Sequence, residues 1–260
     1  MSNIELYTLL NDNYMEVGQV MIYSFLYNNQ WFDGDIVILC DNGERCGLSE
    51  YNRNRLRAMY NSIIFYEINP RDYDKVVENI VKNGGNPAYS MLVYKLEIFK
   101  KNGFNRKVFL DADVVVNANI RELFYNNKKT LIAVEDGLKP LSDYFNSGVM
   151  SLPMDYIDNT TFSKMIDFAE NFNKHSFTNP CSNMGISIDQ DIINEVIKEV
   201  TLIGAEYNFS PYYCKGDIDT IKIFHYYGGA KPWLEHCDFL EGYLPYYRYY
   251  YAMIHNFRKK

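Results

Sequence analysis

Val108-Phe109-Leu110-Asp111-Ala112-Asp113-Val114-Val115-Val116 is a nine-residue run that is apolar except for two aspartates. Such a run reads as a buried strand, and an ionised carboxylate buried without a partner is costly. The pair therefore requires a metal, a cation or strong hydrogen bonds. If the backbone stays extended, the i, i+2 spacing turns both carboxylates to one side. Two hard oxygen ligands on one side suit Mg²⁺ or Mn²⁺ together with phosphate groups. A strand that ends in a turn with capping aspartates explains the same residues, and the tripeptide alone leaves both readings open.

Outward from this run, apolar strands alternate with helical patterns. Strands are expected at Ile4 to Leu10, Asp35 to Leu39, Ser62 to Ile68, Arg106 to Leu110 and Ile221 to Phe224. Helices are expected at Tyr14 to Tyr27, with Val17, Met21 and Phe25 on one stripe, at Ser49 to Tyr60 behind a serine cap, and at Met91 to Lys101. Buried strands separated by helices predict an α/β fold with a mostly parallel central sheet flanked by helices. Ligands of such sheets bind at the carboxyl ends of strands. That rule directs attention to Asn11-Asp12, Asp41-Asn42 and Asp111-Ala112-Asp113.

The 260 residues, 47% hydrophobic and 23% charged, allow a substantial core and exclude a disordered or collagen-like chain. A net charge of −7 argues against a role in coating nucleic acid, which needs clustered Lys and Arg. The five cysteines (Cys40, Cys46, Cys181, Cys214, Cys237) show no CxxC pair and no zinc-like spacing, which fits reduced thiols in a cytoplasmic protein. No secretory signal and no spanning apolar stretch is evident, so the expected protein is soluble or at most peripheral at a membrane.

Four further segments carry chemistry. In His225-Tyr226-Tyr227-Gly228-Gly229-Ala230-Lys231-Pro232-Trp233, the imidazole is a good Mn²⁺ ligand, the glycines allow close backbone approach to an anion, and Lys231 offers a point charge to phosphate. A turn with a lone core histidine is the structural alternative. Asn146-Ser147-Gly148 offers amide and hydroxyl groups suited to sugar hydroxyls, or is a simple loop-to-strand turn. Asp189 beside Gln190 caps a following helix or serves the site. Lys95 lies in an apolar stripe with Leu92, Leu96 and Phe99, and either snorkels outward or reaches a buried anion.

Taken in order, these segments resemble the glycogenin-like members of glycosyltransferase family 8, retaining transferases of the Rossmann-like GT-A fold. The matching motifs are Asp111-Ala112-Asp113 (the family's DxD), Phe145-Asn146-Ser147-Gly148-Val149, Asp189-Gln190 with Asn194, and His225-x-x-Gly228-x-x-Lys231-Pro232-Trp233. Thr8 to Tyr14 is similar to the family's nucleotide-binding first loop, and the likeness runs from about Leu6 to Trp233. The resemblance implies a hexosyltransferase that moves glucose or galactose from a UDP-sugar to a glycan, lipid or protein acceptor. It implies Mn²⁺, with Mg²⁺ as a substitute, on Asp111, Asp113 and His225. Thr8, Asn11 and Tyr14 would meet uracil and ribose. Lys95 and Ala112 would reach the donor, Asn146, Ser147, Asp189 and Gln190 would line its sugar, and Gly228 and Lys231 would grip the diphosphate. Asp189 and Gln190 are the catalytic candidates, the first as a nucleophile and the second as an electrostatic stabiliser; attack on the face that the diphosphate leaves is the alternative to a covalent intermediate. The chain departs from some relatives at Ile186, at Asn86 and at Leu9-Leu10, which bears on the sugar and not on the diphosphate. A phosphohydrolase or nucleotidyltransferase with a DxD site, and a non-catalytic sugar-nucleotide binder, are the other classes considered.

Residues 1–235 are thus expected to form the catalytic domain and 236–260 an aromatic and basic tail. The tail holds Tyr243, Tyr246, Tyr247, Tyr249, Tyr250 and Tyr251 before Arg258-Lys259-Lys260. It suits a membrane interface, or a helix that packs on the body; the acidic body favours packing. Tyr212 and Tyr213 are candidates for self-glycosylation only by position.

Overall fold

The computed structural model describes residues 4–100, 106–137, 144–173, 176–177, 188–212, 216–228, 231–234 and 241–257. Ile186, Tyr213, Gly229 and the Arg258-Lys259-Lys260 tip, all named above, lie outside them. Its first half alternates β1 (Ile4–Leu9), α1 (Met15–Asn28), β2 (Asp35–Cys40), α2 (Glu50–Arg57), β3 (Ile63–Glu67) and α3 (Asp74–Lys82). A 3-10 segment (Pro87–Phe99) leads to β4 (Arg106–Leu110), β5 (Val114–Val116), α4 (Arg121–Phe124), β6 (Leu131–Glu135) and β7 (Phe145–Pro153). Then come α5 (Asn159–Asn171), α6 (Ile188–Val196), β8 (Val200–Ile203), β9 (Ile223–His225) and α7 (Leu244–Phe257).

Seven strands form one sheet in the order β3-β2-β1-β4-β7-β6-β8, and β5 pairs with β9 in a second, two-stranded sheet. Within the large sheet β7 runs antiparallel to both neighbours, β4 and β6, while the other pairings are parallel. The central strands are covered on both faces, which is why Ile36 to Cys40 of β2 is an unbroken apolar run. Along β1 and β2 the side chains divide by pleat: Tyr7, Leu9, Val37 and Leu39 enter one core, and Leu6, Ile36 and Ile38 enter the other.

The expected helix at Met91 to Lys101 is corrected. The segment starts at Pro87, with the Asn86 side chain capping the Ala88 N–H, and winds as 3-10 turns to Phe99. Every residue from Val93 to Phe99 is buried, so packing on all sides, not one amphipathic stripe, governs the winding. At three residues per turn Leu92, Lys95 and Ile98 align, in place of Leu92, Leu96 and Phe99.

Two of the acidic strand ends are structural. Asp41 accepts the backbone N–H groups of Gly43, Arg45 and Cys46 and the hydroxyl of Tyr94, which ties up its loop. Asp12 accepts from Ser49 and Asn52 and so anchors the start of α2. Ser49 is itself the cap of that helix, which is shorter than the Ser49 to Tyr60 stretch read from the sequence.

The tail helix lies on the body. Tyr243, Tyr246, Tyr249 and Met253 pack with Val20, Val115, Phe209, Phe224 and Tyr226. The Tyr249 hydroxyl accepts from Asn28 Nδ2 at 2.8 Å, and Tyr250 donates to Glu16 at 3.0 Å. Residues 246, 249 and 253 follow helical spacing, so a single stripe is buried. Among the described residues no helix is long and apolar enough to cross a membrane.

Tyr246 is 2% exposed and Tyr251 64%. Tyr246→Ala is expected to cost about 3–5 kcal/mol in denaturant unfolding, through the cavity it leaves, whereas Tyr251→Ala stays within about 0.5 kcal/mol. Equal losses would contradict this packing.

Candidate active site

The site forms where β4 ends and β5 begins. Asp111 follows β4, and its backbone N–H donates to the Gly148 carbonyl of β7 at 2.8 Å. Asp113 precedes β5, and its carbonyl accepts the Tyr226 N–H at 3.0 Å. The pairing of β5 with β9 sets Val114 opposite His225. Residues more than a hundred positions apart are thereby brought together.

His225 Nε2 lies 3.1 Å from Asp113 Oδ1 and 3.7 Å from Asp111 Oδ2. One ligand atom from each of Asp111, Asp113 and His225 lies within 4.8 Å of the others. Two carboxylate oxygens and an imidazole nitrogen are a donor set that Mn²⁺ accepts. Gly148 keeps the space open: a Cβ there would sit 2.2 Å from His225 Cε1 and 2.7 Å from Asp111 Oδ2.

Two lysines neutralise the acidic cluster. Lys95, 2% exposed, has its Nζ 3.0 Å from Asp111 Oδ1 and 2.7 Å from Asp189 Oδ2. It therefore reaches buried anions and does not snorkel. Lys231 Nζ lies 2.5 Å from Asp113 Oδ2 and also donates to the Tyr226 carbonyl. Gly228, three residues before Lys231, has φ +82°, a conformation that residues other than glycine rarely adopt. Burial works to lower the ammonium of each lysine, but Asp111 with Asp189, and Asp113, outweigh it and hold both above the ordinary lysine value. Burial raises the Asp113 carboxyl, yet Lys231 and His225 prevail and keep it well below the usual range. At Asp111 burial wins over Lys95 and His225, and the carboxyl is shifted up.

The segment Asn146-Ser147-Gly148 lies within β7 and faces this cluster. Ser147 Oγ donates to Asp189 Oδ2 at 3.0 Å and accepts from Lys95 at 3.1 Å. The Ser147 N–H donates to Gln190 Oε1 at 3.1 Å. Asp189 and Gln190 sit in the first turn of α6, which is docked on β7 by two hydrogen bonds between the Asn194 amide and the Phe145 backbone, each 2.9 Å. The structure thus brings together Lys95, Ala112 between the two aspartates, Asn146, Ser147, Asp189, Gln190, His225 and Lys231.

The first loop borders the same place. Tyr14 is half-buried, packs edge-on against Trp233 with ring centroids 6.3 Å apart, and has its hydroxyl raised by burial despite nearby Lys231. Asn11 Oδ1 accepts the Tyr14 N–H at 3.0 Å, and its Nδ2 donates to Met91 Sδ at 3.2 Å. Thr8 is fully buried in β1, and its hydroxyl has no hydrogen-bond partner among the described residues.

Sequence reasoning missed two residues. Asp136, just past β6, accepts from Gln190 Nε2 at 2.6 Å. Asn208 Oδ1 lies 2.7 Å from His225 Nδ1. Asp136 bears the same mark as Asp12 and Asp41, an acid at a strand end. Asn208, in Tyr207-Asn208-Phe209, bears none; the Phe209 pairing beside β9 delivers it.

Lys95→Met leaves the buried Asp189 and the partly buried Asp111 without their cation. A loss of about 3–5 kcal/mol is expected in denaturant titrations at neutral pH. With Lys95 gone the Asp111 carboxyl, already raised, rises further, so the folded state binds more protons than the unfolded state at mildly acid pH. The stability deficit should then shrink as pH falls toward 5 and grow as pH rises. A deficit that does not vary between pH 5 and 7.5 would count against the pairing.

Comparison with known proteins matches this arrangement to a family. Residues 5–237 match the Glycosyl transferase family 8 profile. Glycogenin-1 of Caenorhabditis elegans is 27% identical over 234 residues, covering 86% of this chain; the chain spans about half (49%) of that relative's length. Among solved structures, an active-site mutant of LgtC superposes with a TM-score of 0.72 at 19% identity, over 97% of this chain and 95% of that one. The galactosyltransferase LgtC in complex with donor and acceptor sugar analogs gives 0.67 at 19% identity, over 95% of both chains. GlyE of Streptococcus pneumoniae gives 0.69 at 15% identity, over the whole of this chain and 64% of that one. The fold is the GT-A fold, and the chain belongs to glycosyl transferase family 8.

Proposed function

We propose that the protein is a retaining hexosyltransferase. It moves glucose or galactose from a UDP-sugar to a glycan, lipid or protein acceptor, with Mn²⁺, or Mg²⁺ in its place, held by Asp111, Asp113 and His225. The observation that carries this reading is the convergence of those three ligands with two lysines, one buried and one partly buried, beside a sugar-compatible polar wall. An isolated DxD hydrolase site has no need of the second lysine or of that wall.

The chemical problem is the departure of a diphosphate with accumulating negative charge. A divalent ion supplies Lewis-acid neutralisation of that charge when bound. Lys231 donates to the diphosphate, and the left-handed Gly228 lets the backbone approach it. Thr8, Asn11 and Tyr14 receive uracil and ribose, with the Tyr14 ring as the stacking surface. Asn146, Ser147 and Asp189 bind sugar hydroxyls, and the ion pair with Lys95 orients Asp189. The Gln190 amide oxygen lies on the same wall and stabilises the oxocarbenium-like carbon electrostatically. Asp189 is ion-paired to Lys95 and hydrogen-bonded to Ser147, which weakens it as a nucleophile. This favours attack on the departing face, with the leaving phosphate taking the acceptor proton.

The test is thermal stabilisation by UDP-, GDP- and ADP-sugars with and without Mn²⁺, followed by assay of UDP release. UDP-glucose or UDP-galactose at about a hundred times Kd should add about 2.7 kcal/mol of stability, only with the metal. Asp113→Asn should abolish both the stabilisation and the release while the circular dichroism spectrum is retained. Full activity in a folded Asp113→Asn variant would contradict the metal role. Stabilisation without turnover would identify a binding protein instead.

A further inference from the structure

We infer that Asn208 is a positioning residue that, through Asn146, fixes which nitrogen of His225 faces the Asp111–Asp113 pair with a lone pair to give. The inference deepens the metal reading above and rests on it. It follows from a chain of hydrogen bonds whose first member has no freedom.

The Gly148 N–H can only donate, and it donates to Asn146 Oδ1 at 2.9 Å. That oxygen is therefore the Asn146 carbonyl, and a flipped amide would set two donors against each other. Asn208 Nδ2 lies 2.9 Å from the same Asn146 Oδ1, so the Asn208 group on that side must be its NH₂. The carbonyl of Asn208 is thereby left facing His225 Nδ1, at 2.7 Å. An amide oxygen only accepts, so Nδ1 carries a hydrogen. The nitrogen left to meet a cation is Nε2, which without one is hydrogen-bonded to Asp113 Oδ1 at 3.1 Å and lies 3.7 Å from Asp111 Oδ2, so the cation takes the place of that hydrogen bond.

The relay is buried: Asn146, Asn208 and His225 are 7%, 5% and 2% exposed, so water does not offer an easy substitute for any link. Gly148 leaves the ring its place, because a Cβ there would sit 2.2 Å from Cε1. Hydrogen bonds at Nδ1 and Nε2 hold the ring, and the one at Nδ1 sets the tautomer. A ligating histidine held this way pays no cost for choosing its tautomer when a cation arrives.

Two measurements test the relay. In metal-free wild-type protein, the imidazole ¹⁵N shifts of His225, assigned by comparison with His225→Gln, should show a protonated Nδ1. Mn²⁺ affinity, measured by calorimetry without donor, should fall about 10- to 100-fold in Asn208→Leu, which removes the acceptor. Asn208→Asp keeps an acceptor at Nδ1 but sets a second oxygen against Asn146 Oδ1, and so should recover only part of that loss. His225 protonated on Nε2 alone in the wild type, or an Asn208→Leu variant that binds Mn²⁺ as tightly as wild type, would overturn the inference. If the wild type binds no Mn²⁺, the metal reading itself falls, and the nitrogen shifts still judge the relay.

Discussion

The Lys95 ammonium group, held 2.7 Å from Asp189 and 3.0 Å from Asp111, is the constraint around which the site is organised. Three elements of different origin meet at that nitrogen: the 3-10 segment, the end of β4 and the first turn of α6. None could bury its charge alone, since an unpaired ionised group inside a protein costs several kcal/mol. Together they satisfy one another, and Ser147 takes up the remaining hydrogen-bonding capacity between Lys95 and Asp189. The docking of α6 and the geometry of the aspartate pair are consequently one problem with one solution.

The reversed strand β7 makes that solution available. Running antiparallel between β4 and β6, it carries Asn146, Ser147 and Gly148 past the end of β4, where a parallel strand would have exposed a loop. Each of the three has a separate task. Asn146 links the Gly148 backbone to Asn208, Ser147 joins the charge network, and Gly148 leaves room for the imidazole. The two-stranded pairing of β5 with β9 supplies the remaining member, His225, from the opposite direction.

Local charge at the site runs against the character of the whole chain. A protein of net charge −7 presents, at this one place, two lysines with their ammonium groups turned to carboxylates. A diphosphate with its cation exchanges one set of compensated charges for another, so an acidic protein can receive an anionic ligand without an exposed basic patch. The tail has a comparable economy. Its tyrosines bury one stripe against the body, and the hydroxyls of Tyr249 and Tyr250 bond to α1 residues.

The sequence by itself determined the alternation of strands and helices, because a strand covered on both faces is mostly apolar, as Ile36 to Cys40 is. It also marked Asp111, Asp113, Lys95 and His225, since a charge or an imidazole inside an apolar run needs a partner. It did not determine the winding of Pro87–Phe99, where burial on every side erased the periodicity that separates one helix type from another. Nor could it tell Asp12 and Asp41, which tie loops, from Asp111, which faces the site: all three are acids at strand ends. Only the tertiary structure decided the partners of each polar group, and with them the parts of Asp136 and Asn208. Hydrogen bonds between residues 208, 146 and 225 depend on which strands lie side by side, and strand neighbours are set by packing of the whole chain, not by any local pattern of residues.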